Sequence, residues 1–225
     1  MLVSDHLLGL STIVDAELMF MDECGFSTHT IEKFGYAPKG ISPAVTVPCS
    51  KGANVTLLAL ISPLGMPISE VFTGGLKSEM LADFFRSPSL KGITWQYPIC
   101  VCRLKVGPFA SCIPGVKIVL DNAPVHRSQL ATHAAWEAGL DLQYLPPYSP
   151  QLNPIEEVFA MIKYMYKGAR PRPKNAEQVK AIVQGIALQL VHFDFMPHYG
   201  HMRHFLNASF NMIPFPDWPP GVGFM

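Results

Sequence analysis

LPPYSPQLNPIEEVF, residues 145–159, stiffens its backbone just before a pair of carboxylates. Pro146, Pro147, Pro150 and Pro154 each fix their own φ and push the preceding residue away from helix, so the approach is rigid. Asn153 suits an N-cap, Pro154 suits the first helical position, and Glu156 then falls third. The spacing predicts a helix over 154–167 with Ile155, Val158, Phe159 and Ile162 on one face. Two roles stay open for Glu156. It is the return arm of a capping box, bonding the Asn153 N–H, or a carboxylate fixed by stiff backbone, as a metal ligand needs. Glu157 reads as a solvated helix residue that could stand in at a metal.

Working outward, GVKIVLDNAPVH (115–126) is a near-continuous apolar strand that ends at Asp121 and enters a turn. Such strands are usually central, with both sheet faces covered. AELMFMDECGF (16–26) reads as a buried strand ending at Asp22, and NVTLLALISPLG (54–65) as a second, closed by Pro63 and Gly65. LDLQYLPP (140–147) is a short strand broken by proline. Helices are expected at 78–87, with Ser78 as N-cap, at 127–139, with Gly139 past its end, and at 175–191, opened by an Asn175–Gln178 capping pair. Strands first, then strand–helix–strand–helix, predict a mixed α/β layer fold. Residues 88–114 and the aromatic, proline-rich 193–225 lack periodicity. The first reads as a long loop and the second as a wrapping or loosely ordered tail whose Phe205, Phe210, Phe215 and Trp218 cover core.

Composition narrows the class. With 225 residues, 49% hydrophobic and 15% charged, the chain suits one compact domain and argues against disorder. Lys+Arg and Asp+Glu are both 17, so any anion-binding surface must be local. Five cysteines form no regular framework, and Cys100, Cys102 and Cys112 lack both zinc-ribbon spacing and an evident fourth ligand. No secretory signal and no membrane-length apolar run is legible, so an intracellular protein is expected.

Two aspartates at strand ends would face one crevice at the edge of the sheet. Either alone is ordinarily a turn cap. Together they would repel and raise each other's pKa, and a divalent cation with a taste for hard oxygen ligands would relieve that. The segments MDECGF, LDNAPVH and LPPYSPQLNPIEEVF resemble the catalytic signatures of DDE-type transposases of the mariner superfamily and related bacterial insertion sequences. EKFGYAPKG (32–40) resembles the segment that follows the family's first catalytic strand. In that family thirty-four residues separate the second Asp from the final Glu, and thirty-four separate Asp121 from Glu156 here. The resemblance, over roughly residues 15–190, implies an RNase H-like mixed sheet flanked by helices. It implies Asp22, Asp121 and Glu156 as catalytic carboxylates and ligands of two Mg²⁺ or Mn²⁺ ions. Two-metal chemistry would suit Asp121 as the bridging ligand, with Asp22 on one or both ions and Glu156 on one. It also implies DNA as partner, both transposon ends and target, and dimers on paired ends. The compartment would be the nucleus in a eukaryote or the cytoplasm and nucleoid in a bacterium.

Asn122 and His126 share the Asp121 motif. They lie either behind the carboxylates or near phosphate, or they are a turn Asn and a surface His. Lys163, Lys167, Arg170, Arg172 and Lys174 follow Glu156 with no intervening acid and could carry a DNA backbone, or form an ordinary charged linker. The expected organisation is a catalytic domain over 1–192 with 88–114 as an irregular insertion, and a tail over 193–225. No helix-turn-helix region is legible before Asp22. That absence and the neutral charge keep open a non-catalytic relic serving as a binding or assembly module. A nuclease for RNA–DNA hybrids or branched DNA is a third reading, disfavoured by the spacing and by SPQLNPIE.

Overall fold

The computed structural model describes residues 18–30, 37–41, 54–87, 117–147 and 149–210. The expectations for 88–114, the three cysteines within it, the first five residues of EKFGYAPKG (32–36) and residues 211–225 lie outside these. Five strands form one sheet in the order β3-β2-β1-β4-β5. They are β1 (Leu18–Phe26), β2 (Val55–Ser62), β3 (Gly65–Thr73), β4 (Lys117–Leu120) and β5 (Asp141–Tyr144). β1, β2 and β3 are antiparallel neighbours, while β4 runs parallel to β1 and β5 parallel to β4. The helices are α1 (Ser78–Arg86), α2 (Gln129–Glu137), α3 (Pro154–Gly168), α4 (Ala176–Gln189) and α5 (Met196–Phe210).

Alternation along the strands assigns the layers, because successive side chains point to opposite faces. Leu18, Phe20, Cys24 and Phe26 of β1 pack with Val55, Leu57, Ala59 and Ile61 of β2 against α3, α4 and α5. Met19 and Met21 pack with Leu58 and Leu60 against α1 and α2. β2 is buried along its whole length, as a strand covered on both faces must be.

Several details differ from the sequence expectations. The second strand does not stand alone: Pro63 and Leu64 turn the chain into β3, an edge strand that tolerates Pro67. Gly65 has φ +140°, and a Cβ there would lie 2.0 Å from the Val191 carbonyl oxygen. Only glycine fits, because the loop after α4 docks on this turn through Met66 N–H to Leu190 O and Phe195 N–H to Pro63 O. The first helix begins at Ser78, but its N-cap is Lys77. The α4 start is as expected, with Asn175 accepting from the Gln178 N–H. The aromatic stretch after 193 is ordered into α5 through Phe210. Phe195, Tyr199, Met202, Phe205 and Leu206 are buried, and the Tyr199 hydroxyl reaches Leu18 O at 3.0 Å and Ile61 O at 3.2 Å.

Candidate active site

The strand register positions the acids. Phe20 of β1 is level with Val119 of β4, and both face α3. Two residues further on each strand, that register brings Asp22 level with Asp121 on the same face. Asp22 was expected at a strand end; it lies instead in the middle of β1, which runs on to Phe26 against β2. The break belongs to β4, which ends at Leu120 and leaves β1 without that neighbour. A crevice therefore opens at the carboxyl end of β4, where ligands bind in open α/β sheets. It encloses about 420 Å³ and is lined by Asp121, Asn122, Pro146, Pro150, Asn153 and Glu156, among others.

Each carboxylate is held differently. Asp22 is buried; its Oδ1 accepts from the Glu23 N–H at 2.8 Å and its Oδ2 from Asn153 Nδ2 at 2.9 Å. Asp121 Oδ1 accepts from the Ala123 N–H at 2.8 Å and lies 2.6 Å from His126 Nδ1. Glu156 stands in the first turn of α3, behind the rigid turn Pro150–Leu152. The capping-box role for Glu156 is not what the fold uses: the Asn153 N–H donates to Pro150 O, and the Asn153 side chain caps nothing.

The charges are under-compensated. Burial pushes Asp22 from 3.8 up to about 7; the Glu23 N–H opposes this, and the charges of Glu23, Asp121 and Glu156 add to it. Glu156 is also raised, by burial first, with Lys163 pulling the other way and Asp121 and Glu23 reinforcing. Asp121 goes down, chiefly through its bond to His126. His126 is fully buried, and its Nε2 lies 2.9 Å from Glu23 Oε2. Burial disfavours its charged form, yet the two carboxylates outweigh that and raise it from 6.5 to about 10.

Asp22, Glu23 and His126 offer ligand atoms all within 4.8 Å of one another. His126 is engaged on both nitrogens, and a protonated imidazole has no lone pair for a metal. The charges of Asp121 and Glu156 both act on Asp22, and carboxylate oxygens crowded in this way suit a hard divalent ion.

Of the other candidates, His126 is no surface residue but a bracket behind Asp121. Asn122 lines the crevice, donates Nδ2 to Leu145 O and accepts from Arg127. Lys163 lies two helical turns after Glu156 and acts electrostatically on it and on Cys24. Arg170 turns back onto the carbonyl oxygens of Lys167 and Ala169, closing α3. Lys167, Arg172 and Lys174 lie along the end of α3 and its connection to α4, outside the crevice lining. Glu157 is not simply solvated: His198 and His201 of α5 bind its two oxygens. Sequence reasoning missed Glu23 and the side-chain role of Asn153. Glu23 sits beside Asp22 on the opposite face of β1, and only the buried His126 reveals it.

A mixed five-stranded sheet with helices on both faces, in the order β3-β2-β1-β4-β5, is an RNase H-like arrangement. A family model for the DDE superfamily endonuclease matches residues 17–180, and the chain belongs to that family. Its fold is that of the catalytic domain of the Mos1 mariner transposase, with a TM-score of 0.61 at 14% identity over 94% of this chain and 90% of that one. The Mos1 transposase paired-end complex with left transposon end aligns with a TM-score of 0.69 at 13% identity, over 93% of this chain and 60% of that one. The Mos1 mariner paired end complex with Mn gives 0.68 at 13%, over 95% and 62%. The chain thus spans about three fifths of the transposase in those complexes. No curated protein matches the sequence. No described helix is long and apolar enough to cross a membrane.

Proposed function

We propose that the chain is the metal-dependent catalytic domain of a mariner-type DDE transposase, cutting and joining DNA phosphodiesters through Asp22, Asp121 and Glu156. The observation that supports this reading is a crevice lined by Asp121 and Glu156, with Asp22 bonded to Asn153 of its lining and close enough to both acids to feel their charge. Two Mg²⁺ or Mn²⁺ ions bound there would activate a water or 3′-hydroxyl nucleophile and stabilise the leaving oxygen of an in-line displacement. Asp22 of β1 and Asp121, just past β4, would present oxygens from one side. His126 and the Ala123 N–H fix Asp121, so its remaining oxygen keeps one orientation. Glu156 closes the site from the helix, its reach set by Pro150 and Pro154 rather than by a flexible loop. Lys163 supplies a positive charge on the same helix, where a phosphate backbone would pass. DNA ends and target are the proposed partners, with two copies of the chain acting on paired ends.

A Mn²⁺ titration by calorimetry on wild type and Asp121→Asn tests this without knowing the DNA sequence. Binding that disappears in the variant, together with Mn²⁺-dependent nicking of DNA by wild type alone, is the expected result. Equal binding and equal nicking by both proteins would remove the site. Absent binding in both would favour a relic that keeps the fold without the chemistry.

A further inference from the structure

Helix α3 begins at an asparagine that does not cap it. Asn153 has the extended backbone of an N-cap, φ −113° and ψ 91°, yet its side chain accepts nothing from the first turn. That bond ordinarily stabilises a helix start. The amide instead turns to Asp22, 131 residues away, and Nδ2 donates to its Oδ2 at 2.9 Å. Asn153 Oδ1 is buried with no hydrogen-bond partner, in a residue only 4% exposed that lines the acidic crevice. Leaving a buried acceptor unpaired carries the desolvation penalty of that group with nothing to offset it. The forgone cap and the orphaned oxygen fall on one side chain, which bonds Asp22 and lines the crevice with Asp121 and Glu156. An unsatisfied buried group in such a place calls for a donor brought in from outside the chain.

We infer that Asn153 is a positioning residue of the cation site: its amide N–H holds Asp22 in one orientation, and its Oδ1 accepts a hydrogen bond from a water of the bound divalent ion. The inference rests on the function proposed above and adds a fourth side chain to it. Mg²⁺ and Mn²⁺ keep several waters when held by carboxylates, so a donor of this kind accompanies the ion. An amide suits the position because it gives and accepts at once. A carboxylate there would repel Asp22, and a hydroxyl on a shorter side chain would not span both partners. A residue that tethers a ligand this way ordinarily changes metal affinity by about 10–100-fold when removed.

The test is a Mn²⁺ titration, by calorimetry and by water proton relaxation, on wild type, Asn153→Ser, Asn153→Gly and Asp121→Asn. The melting temperature of each is measured without metal. Serine and glycine are both accepted at helix N-caps, so two independent variants are expected to fold. The expected result is a Kd weaker by about 10-fold or more in both, with melting temperatures close to wild type. A wild-type Kd in either folded variant overturns the inference and leaves the proposed function standing, provided Asp121→Asn still abolishes binding. A lowered melting temperature with an unchanged Kd also overturns it, since a merely structural asparagine would give that. Binding that survives in Asp121→Asn removes the site itself, and this inference with it.

Discussion

Two neighbouring glutamates in the first turn of α3 have opposite surroundings. Glu156 faces the crevice, where burial raises its pKa and Asp121 and Glu23 reinforce the shift against Lys163. Glu157 faces α5. Burial raises it too, but hydrogen bonds from His198, at 2.7 Å, and from His201 prevail, and its pKa is lowered. The fold supplies two histidine partners for Glu157 at the helix seam, whereas Glu156 at the crevice meets two like charges and one lysine. A carboxylate with its partners built in is holding elements together. A buried one among like charges marks a candidate functional site.

The sharpest way to break this contrast is to neutralise each acid in turn. Glu156→Gln is expected to lower Mn²⁺-dependent DNA nicking by about 100-fold or more, on the scale of losing a group that stabilises developing charge. Glu157→Gln should stay within about threefold of wild type, because its oxygens face helix rather than crevice. Single-turnover nicking rates of the two variants decide it. Comparable losses in both would mean that the seam and the site are one unit.

A second contrast is in stability. Asp22 is held near 7 in the folded protein against 3.8 for an ordinary aspartate. A group with a raised folded pKa contributes stability that is fully present below the unfolded value and lost as pH rises through the folded one. The metal-free protein should therefore lose stability between about pH 4 and pH 7 on account of Asp22, by an amount on the order of a few kcal/mol. Asp22→Asn should melt higher than wild type at pH 8 and show little difference at pH 4. Thermal scans with a chelator at both values would show it. A variant that melts lower at pH 8 would mean that Asp22 is a structural acid like Glu157.

How much of this was legible beforehand follows from what is local. The start of α3 and the strand before Asp121 were readable, because stiff prolines and an apolar run are properties of short segments. The position of Asp22 within β1 was not, because the site opens where β4 stops, and strand ends are set by a neighbour's length. Asn153 looked like a helix cap, since nothing nearby says that its amide meets Asp22. His126 looked exposable because its partners Glu23 and Asp121 come from two different strands. α5 hid behind Pro197 and Gly200, which argue against helix by composition. Yet Pro197 falls in the first turn, where proline is tolerated. Phe195, Tyr199, Met202 and Leu206 keep helical spacing on the buried side.

α5 is also where the seam can be weakened without touching the acids. The Tyr199 hydroxyl is buried and reaches two strand carbonyls, Leu18 O and Ile61 O. Tyr199→Phe keeps the ring against Phe20 and deletes those bonds, so urea unfolding should show a loss of about 1–2 kcal/mol. No change in the denaturation midpoint would mean that the helix is held by its apolar face alone.

The smallest expected effect belongs to Glu157 itself, and its sign opposes that of Asp22. Its folded pKa is depressed below the ordinary 4.5, so its contribution to stability is present above that value and lost as pH falls through the folded one. The carboxylate is about 35% exposed and His201 about 43%, so solvent screens much of the pairing. Glu157→Gln should therefore cost only about 0.5–1 kcal/mol at neutral pH, and nothing once the wild-type acid is protonated. Asp22→Asn should gain stability at high pH, and Glu157→Gln should lose it there. Two curves of unfolding free energy against pH that diverge upward and downward from a common acid limit would separate the acid that awaits a ligand from the one that already has its partners. Parallel curves would dissolve the distinction.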